Sequence, residues 1–182
     1  MKIDVSRKLP EHLDTLVLIH EEDAKPEDLD FIDDELKQDL DSFIKAEEFT
    51  FAHGKISSFT RMHGKKRQII ILCGAGKNSE LNTHKLRTLF ANCWRTATRL
   101  KARQIHVLMG FEPIVNDVIL GHVLAESALL STYKFNKYLS HDEVHEIECI
   151  HLLLSTKNTR HINRASWKAE SMLKPPIWLV IW

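Results

Sequence analysis

The sequence predicts an α/β fold: a three-layer sandwich in which helices cover both faces of a mixed β-sheet. Two observations carry this prediction. Short runs rich in Ile, Val and Leu stand at Leu16–Ile19, Ile69–Cys73 and Gln104–Met109, with the length and composition of strands buried on both faces. Between them lie segments whose apolar residues recur at i, i+3, i+4 and i+7, the spacing of one helix face. Strands alternating with helices need crossover connections, which lay the helices against the sheet.

Taken in order, Lys2 to Val5 alternates polar and apolar and predicts a short first strand. Leu16–Ile19 is the second, more buried one. Glu21 to Pro26 is an acidic connection, with Pro26 suited to a helix start. Leu29, Ile32, Leu36, Leu40, Phe43 and Ile44 mark a helix with acidic residues on its other face. Phe49 to Arg61 alternates around Gly54 and predicts one or two strands, including a hairpin partner for the strand at Gln68–Cys73. That strand leads into a glycine turn, Gly74-Ala75-Gly76-Lys77. A long helix follows, its buried face formed by Leu86, Leu89, Phe90, Cys93, Trp94 and Ala97. Gln104–Met109 is the next strand, ended by Glu112-Pro113. Val115, Val118, Ile119, His122, Val123, Leu129 and Leu130 predict a further helix, with His122 on its apolar face as a core histidine. An aromatic-basic segment, Tyr133 to Tyr138, and a charged stretch, His141 to Glu146, precede a last strand at Ile147–Leu154 and a final helix over Thr159–Leu173. No internal repeat interrupts this order.

Composition narrows the class. The formal net charge is zero, which gives no overall attraction to nucleic acid or anionic lipid. The charges are nonetheless segregated. Glu21 to Glu48 is mainly acidic, whereas Lys55 to Arg103 carries its many Lys and Arg residues against Glu80 alone. Cys73, Cys93 and Cys149 show no CxxC spacing and are expected to be buried thiols in a reducing compartment. No apolar run approaches the roughly 18 residues of a membrane span, and the N-terminus lacks the apolar core of a signal peptide. A cytoplasmic protein without a membrane partner is expected.

Few residues carry a chemical signal. Gly74, Gly76 and Lys77 could cradle an anion or a nucleotide at a helix start. Yet Asn78 stands where a Walker loop needs Ser or Thr, and Ser79 stands where the dinucleotide fingerprint needs glycine. A plain strand-to-helix turn is the simpler reading. His141 and His145 have helical metal-ligand spacing, but Asp142 rather than Glu follows the first histidine, and a solvated loop is favoured. The carboxylates of Glu21–Glu48 fit the outer face of one helix. No Gly-x-Ser-x-Gly elbow is present. Arg87, Arg95 and Arg99 form a basic strip on the long helix. Such a strip could touch nucleic-acid phosphates, or pair with the acidic helix of this chain or of a neighbour.

The order of segments is similar to the N-terminal domain of the leucyl aminopeptidase family, which comprises metal-dependent exopeptidases. Asp14-Thr15-Leu16-Val17-Leu18 resembles the family's "D-ALVL" strand, and Arg67 to Lys77 resembles its strand ending in G-x-G-K. Leu124 to Tyr138 resembles its "A-EG-LL--Y-FD-YK" segment, with Ser127 for the glycine and Asn136 for the acid. The likeness runs over roughly residues 2 to 172. It implies an α/β sandwich related in shape to macro domains, which suggests nucleotide or ADP-ribose binding as an alternative role. It also implies a separate catalytic domain whose Lys, Asp and Glu ligands hold two divalent metals, Zn or Mn, in segments resembling "K-GITFDSGG" and "NTDAEGR". Neither segment occurs in this chain, so no catalytic residue and no metal ligand is assigned. The expected organisation is therefore one domain over residues 1–173 and an aberrant apolar tail over 174–182. Lys174 to Trp182 departs from the family's pattern, as a frameshift or a boundary would produce. The expected function is that of a non-catalytic domain, oligomerising or regulatory. Its partners would be further copies or an aminopeptidase-like subunit.

Overall fold

The computed structural model describes residues 2–6, 13–22, 32–111, 115, 117–132 and 147–154. Six strands form one sheet: β1 (Lys2–Ser6), β2 (Thr15–Glu21), β3 (Ile56–His63), β4 (Lys66–Gly76), β5 (Gln104–Met109) and β6 (Cys149–Leu154). Their order across the sheet is β1-β6-β5-β2-β4-β3. All neighbours are parallel except β3, which pairs antiparallel with β4. The sheet is therefore mixed, as the sequence predicts. The β3–β4 hairpin turns on Gly64 and Lys65 between the paired His63 and Lys66. Gly64 supplies a φ of +62° at the first loop position, where a two-residue turn of the II′ kind calls for glycine.

The alternation of strand side chains sorts the core into two layers. Val17, Ile19, Ile69, Ile71, Cys73, Ile105 and Val107 point to one face and pack with Leu86, Leu89, Phe90, Cys93 and Trp94 of helix α2 (Thr83–Arg99). Leu120, Val123, Leu124 and Ala128 of helix α3 (Asp117–Thr132) join the same cluster. The intervening residues Leu16, Leu18, Ile70 and Leu72 point to the other face, against Leu36 and Leu40 of helix α1 (Asp34–Ala46). Helices on both faces complete the three layers.

Local chemistry sets the helix ends. Asp33 caps α1 by accepting the Leu36 N–H at 2.7 Å, and Asn82 caps α2 by accepting that of Lys85 at 3.0 Å. Both helices close with the paired bonds of a Schellman motif. After α1, Phe49 N–H reaches the Ile44 carbonyl and Glu48 N–H that of Lys45. After α2, Ala102 N–H reaches the Ala97 carbonyl and Lys101 N–H that of Thr98. The left-handed position of each motif, usually glycine, is held by Glu48 (φ 46°) and Lys101 (φ 61°).

The stretch Phe49 to Arg61 holds one strand, from Ile56, and it forms the expected hairpin with β4. Three expectations change. Helix α1 starts at Asp34, and Ile32, expected within it, packs with Leu36 and Leu40 from outside the helix, so the apolar spacing outruns the helix itself. The glycine turn is not a turn: β4 continues through Gly74, Ala75 and Gly76. His122 is exposed rather than in the core, because α3 is apolar on its outer side as well. Pro26, Glu112-Pro113, Tyr133–Tyr138, His141–His145, the helix expected at Thr159–Leu173 and the tail lie outside the described residues.

Candidate functional site

Gly74 and Gly76 are occupied by this chain's own backbone. A Cβ on Gly74 would lie 2.1 Å from the Ala52 carbonyl oxygen, and one on Gly76 would lie 2.8 Å from the His53 Cβ. The glycines thus allow the segment before β3 to cross the end of β4 at close range. Their amides are used in the crossing: Gly74 N–H donates to Lys55 O at 2.8 Å and Gly76 N–H to Phe51 O at 2.9 Å. Neither amide is left for an anion. A short 3-10 turn, Asn78–Glu80, separates them from the start of α2. Lys77 is exposed beside this turn. The anion-turn expectation for Gly74, Gly76 and Lys77 thus finds both glycine amides already bonded. The glycines serve packing.

The basic strip divides. Arg87 donates through Nε to Glu126 of α3 at 2.9 Å, which ties the two helices together. Arg95 is exposed and donates to Asn92 Oδ1 at 3.4 Å, and Arg99 is exposed. The acidic helix α1 lies across the sheet from α2, so it does not pair with this strip within the chain. Its cation is Arg61 of β3, which the sequence reading did not single out. The Arg61 side chain is 6% exposed and donates to Asp39 at 2.9 Å and to Gln68 Oε1 at 2.9 Å. Asp33 and Glu35 stand at 3.8 and 3.7 Å. A buried arginine ringed by the carboxylates of one helix pins that helix to the sheet edge. The visible signal was an arginine inside an alternating strand beside an acidic helix.

A cleft of about 630 Å³ opens where the parallel strands begin. Lys66, Arg67 and Arg103 line it against Asp14 and Glu148, and Arg103 lies 3.7 Å from Glu148. The rims are exposed and the charges mixed. Ligands of α/β sheets bind at the opposite, carboxyl ends of the strands. Next to this end, His106 and His151 stack at 4.8 Å between ring centroids. Burial, then the neighbouring His151, lowers the His106 pKa to about 4, so its imidazole is neutral at pH 7. Among the described residues no group of three or more His, Cys, Asp or Glu side chains could hold a metal ion.

The departure at Ser127 has a structural counterpart. Trp94 is fully buried, and its indole N–H donates to Ser127 Oγ at 3.1 Å, while Ser127 donates onward to the Leu124 carbonyl at 2.9 Å. The serine gives the core tryptophan the partner that a glycine would not.

The cytosol aminopeptidase family, N-terminal domain, matches residues 16–142, more than half of the sequence. This chain belongs to that family. Its relatives include a probable cytosol aminopeptidase of Clostridium perfringens (strain 13 / Type A), 29% identical over 115 residues. That match covers 63% of this chain and 23% of the relative. A probable cytosol aminopeptidase of Sulfurihydrogenibium sp. (strain YO3AOP1) is 24% identical, over 81% of this chain and 30% of the relative. The matched part is thus about a quarter of these relatives' length. In three dimensions the domain is similar to a mutant of tomato leucine aminopeptidase, with a TM-score of 0.69 at 20% identity, covering 93% of this chain and 35% of that one. It is also similar to the bottromycin maturation enzyme BotP in complex with Mn, with a TM-score of 0.60 at 15% identity, over 88% of this chain and 30% of that one. At these identities the likeness shows a shared fold. Among the described residues no helix is long and apolar enough to cross a membrane.

Proposed function

We propose that this chain is a non-catalytic module of the cytosol aminopeptidase family that works by association, with further copies of itself or with an aminopeptidase subunit, in the cytoplasm. The observation that carries the reading is the outer side of α3. Its inner side is buried in the core, yet Val118, Ile119 and Leu130 are exposed, Leu130 to 67%. Exposed apolar patches mark contact surfaces, and here Val118, Ile119 and Leu130 share the outer face with His122 and Glu126. The family match supports the reading from another side, since it covers only the relatives' N-terminal domain. Any Zn or Mn chemistry would belong to a catalytic domain outside this chain. A macro-like nucleotide or ADP-ribose module is the weaker alternative, because the Gly74 and Gly76 amides are already bonded. Nucleic-acid contact is weaker too, because Glu126 engages Arg87. Sedimentation velocity from micromolar to hundreds of micromolar tests the proposal. Association that Ile119→Lys with Leu130→Lys abolishes is expected. A monomer throughout, which also fails to bind an aminopeptidase subunit, would end it.

A further inference from the structure

Strand parity turns Cys73 of β4 toward α2, and helix periodicity turns Cys93 of α2 toward β4. Both are fully buried, and their sulfurs lie 2.9 Å apart. A disulfide needs a separation of about 2.05 Å, so the two sulfurs stand about 0.9 Å beyond bonding distance. Cys149 belongs to β6, which β5 and β2 separate from β4. The pairing is therefore specific.

We propose that Cys73 and Cys93 are a latent disulfide that staples β4 to α2 when the protein meets a hydroperoxide. The step balances with one hydrogen peroxide. One sulfur takes an oxygen from the peroxide and becomes a sulfenic acid, with release of water. The second sulfur displaces the hydroxyl group from the first, forming the S–S bond and releasing a second water. Two thiols lose two hydrogens and two electrons; the peroxide is reduced to two waters. Access governs the rate. Burial pushes the Cys73 thiol well above its usual range, and the hydrogen bond and charge of Cys93 push it further. Little thiolate therefore exists in the closed core, and oxidation is slow there. It is faster when α2 lifts from the sheet, as during refolding. The staple would close a loop of about 20 residues containing the glycine segment and the first turns of α2.

The test refolds the full chain from urea with and without hydrogen peroxide, followed by alkylation and intact-mass analysis. After oxidation, a mass loss of 2 Da is expected, with a single alkylated cysteine, Cys149, and a peptic peptide linking Cys73 to Cys93. The oxidised protein should melt about 6–12 °C higher, from the chain-entropy effect of a loop this size. The Cys149→Ser variant should keep the link, and Cys93→Val should lose both the link and the added stability. Three alkylated cysteines after oxidation would overturn the proposal. So would a link through Cys149, or oxygen added at Cys73 or Cys93 without the 2 Da loss.

Discussion

Replacing Arg61 tests how α1 is held on the sheet. The Arg61→Ala change removes a guanidinium that is 6% exposed. Its Nε bond to Gln68 is buried at both ends, and Gln68 is itself buried. Losing the donor leaves the Gln68 oxygen without a partner, which costs about 1–3 kcal/mol. The Asp39 bond contributes less, because Asp39 is 44% exposed and water replaces the arginine; about 0.5–1 kcal/mol is appropriate. The lost apolar stem between α1 and β3 adds about 1 kcal/mol. The expected destabilisation is about 3 kcal/mol, read as a melting point lower by about 6–12 °C. Urea unfolding monitored by circular dichroism would measure it. Hydrogen exchange should show the protection loss concentrated in α1 and β3. Because two apolar partners satisfy each other, Arg61→Met with Gln68→Leu should recover to within about 1 kcal/mol of the parent. A loss under about 1 kcal/mol for Arg61→Ala, or a double variant no better than Arg61→Met alone, would refute the reasoning.

Three more predictions follow from other parts of the molecule. Glu48→Gly and Lys101→Gly should each stabilise by about 0.5–1 kcal/mol, since glycine adopts the left-handed cap position without the penalty of a side chain; chemical denaturation would register the gain. Ser127→Ala should cost about 1–3 kcal/mol by stranding the Trp94 indole N–H in the core, and near-ultraviolet circular dichroism should report the altered tryptophan. His106 has a folded-state pKa of about 4, below its unfolded value of about 6.5, so its contribution is complete above pH 6.5 and is lost as pH falls toward 4. Stability measured across that window should fall by up to about 3 kcal/mol, and His106→Leu should remove most of the slope.

The elements were legible where one local pattern decided them. The Ile- and Val-rich runs gave β2, β4 and β5, and the spacing of Leu86, Leu89, Phe90, Cys93 and Trp94 gave the buried face of α2. The misreadings share one cause: contacts distant in sequence. Gly74 and Gly76 read as a turn because the crossing at Phe51–Lys55 that demands them lies some twenty residues earlier. His122 read as core because Val118, Ile119 and Leu130 continue the apolar spacing onto the outer face of α3, so its periodicity could not say which side faces the sheet. Arg61 showed only as an arginine inside an alternating strand, and His106 gave no signal, since their environments come from α1 and β6. Ser127 stood out only as a departure from a pattern, and the reason for it, Trp94, sits on another helix. The Cys73–Cys93 apposition was within reach, because each cysteine already lay on the inward face of its own element.

The central claim is that this family member is a domain without its own peptide chemistry. The most direct measurement is hydrolysis of leucine p-nitroanilide by the purified chain, with Mn²⁺ or Zn²⁺ added and with a chelator as control. Release indistinguishable from the blank is predicted under every condition. Metal-dependent release that the chelator abolishes would contradict it.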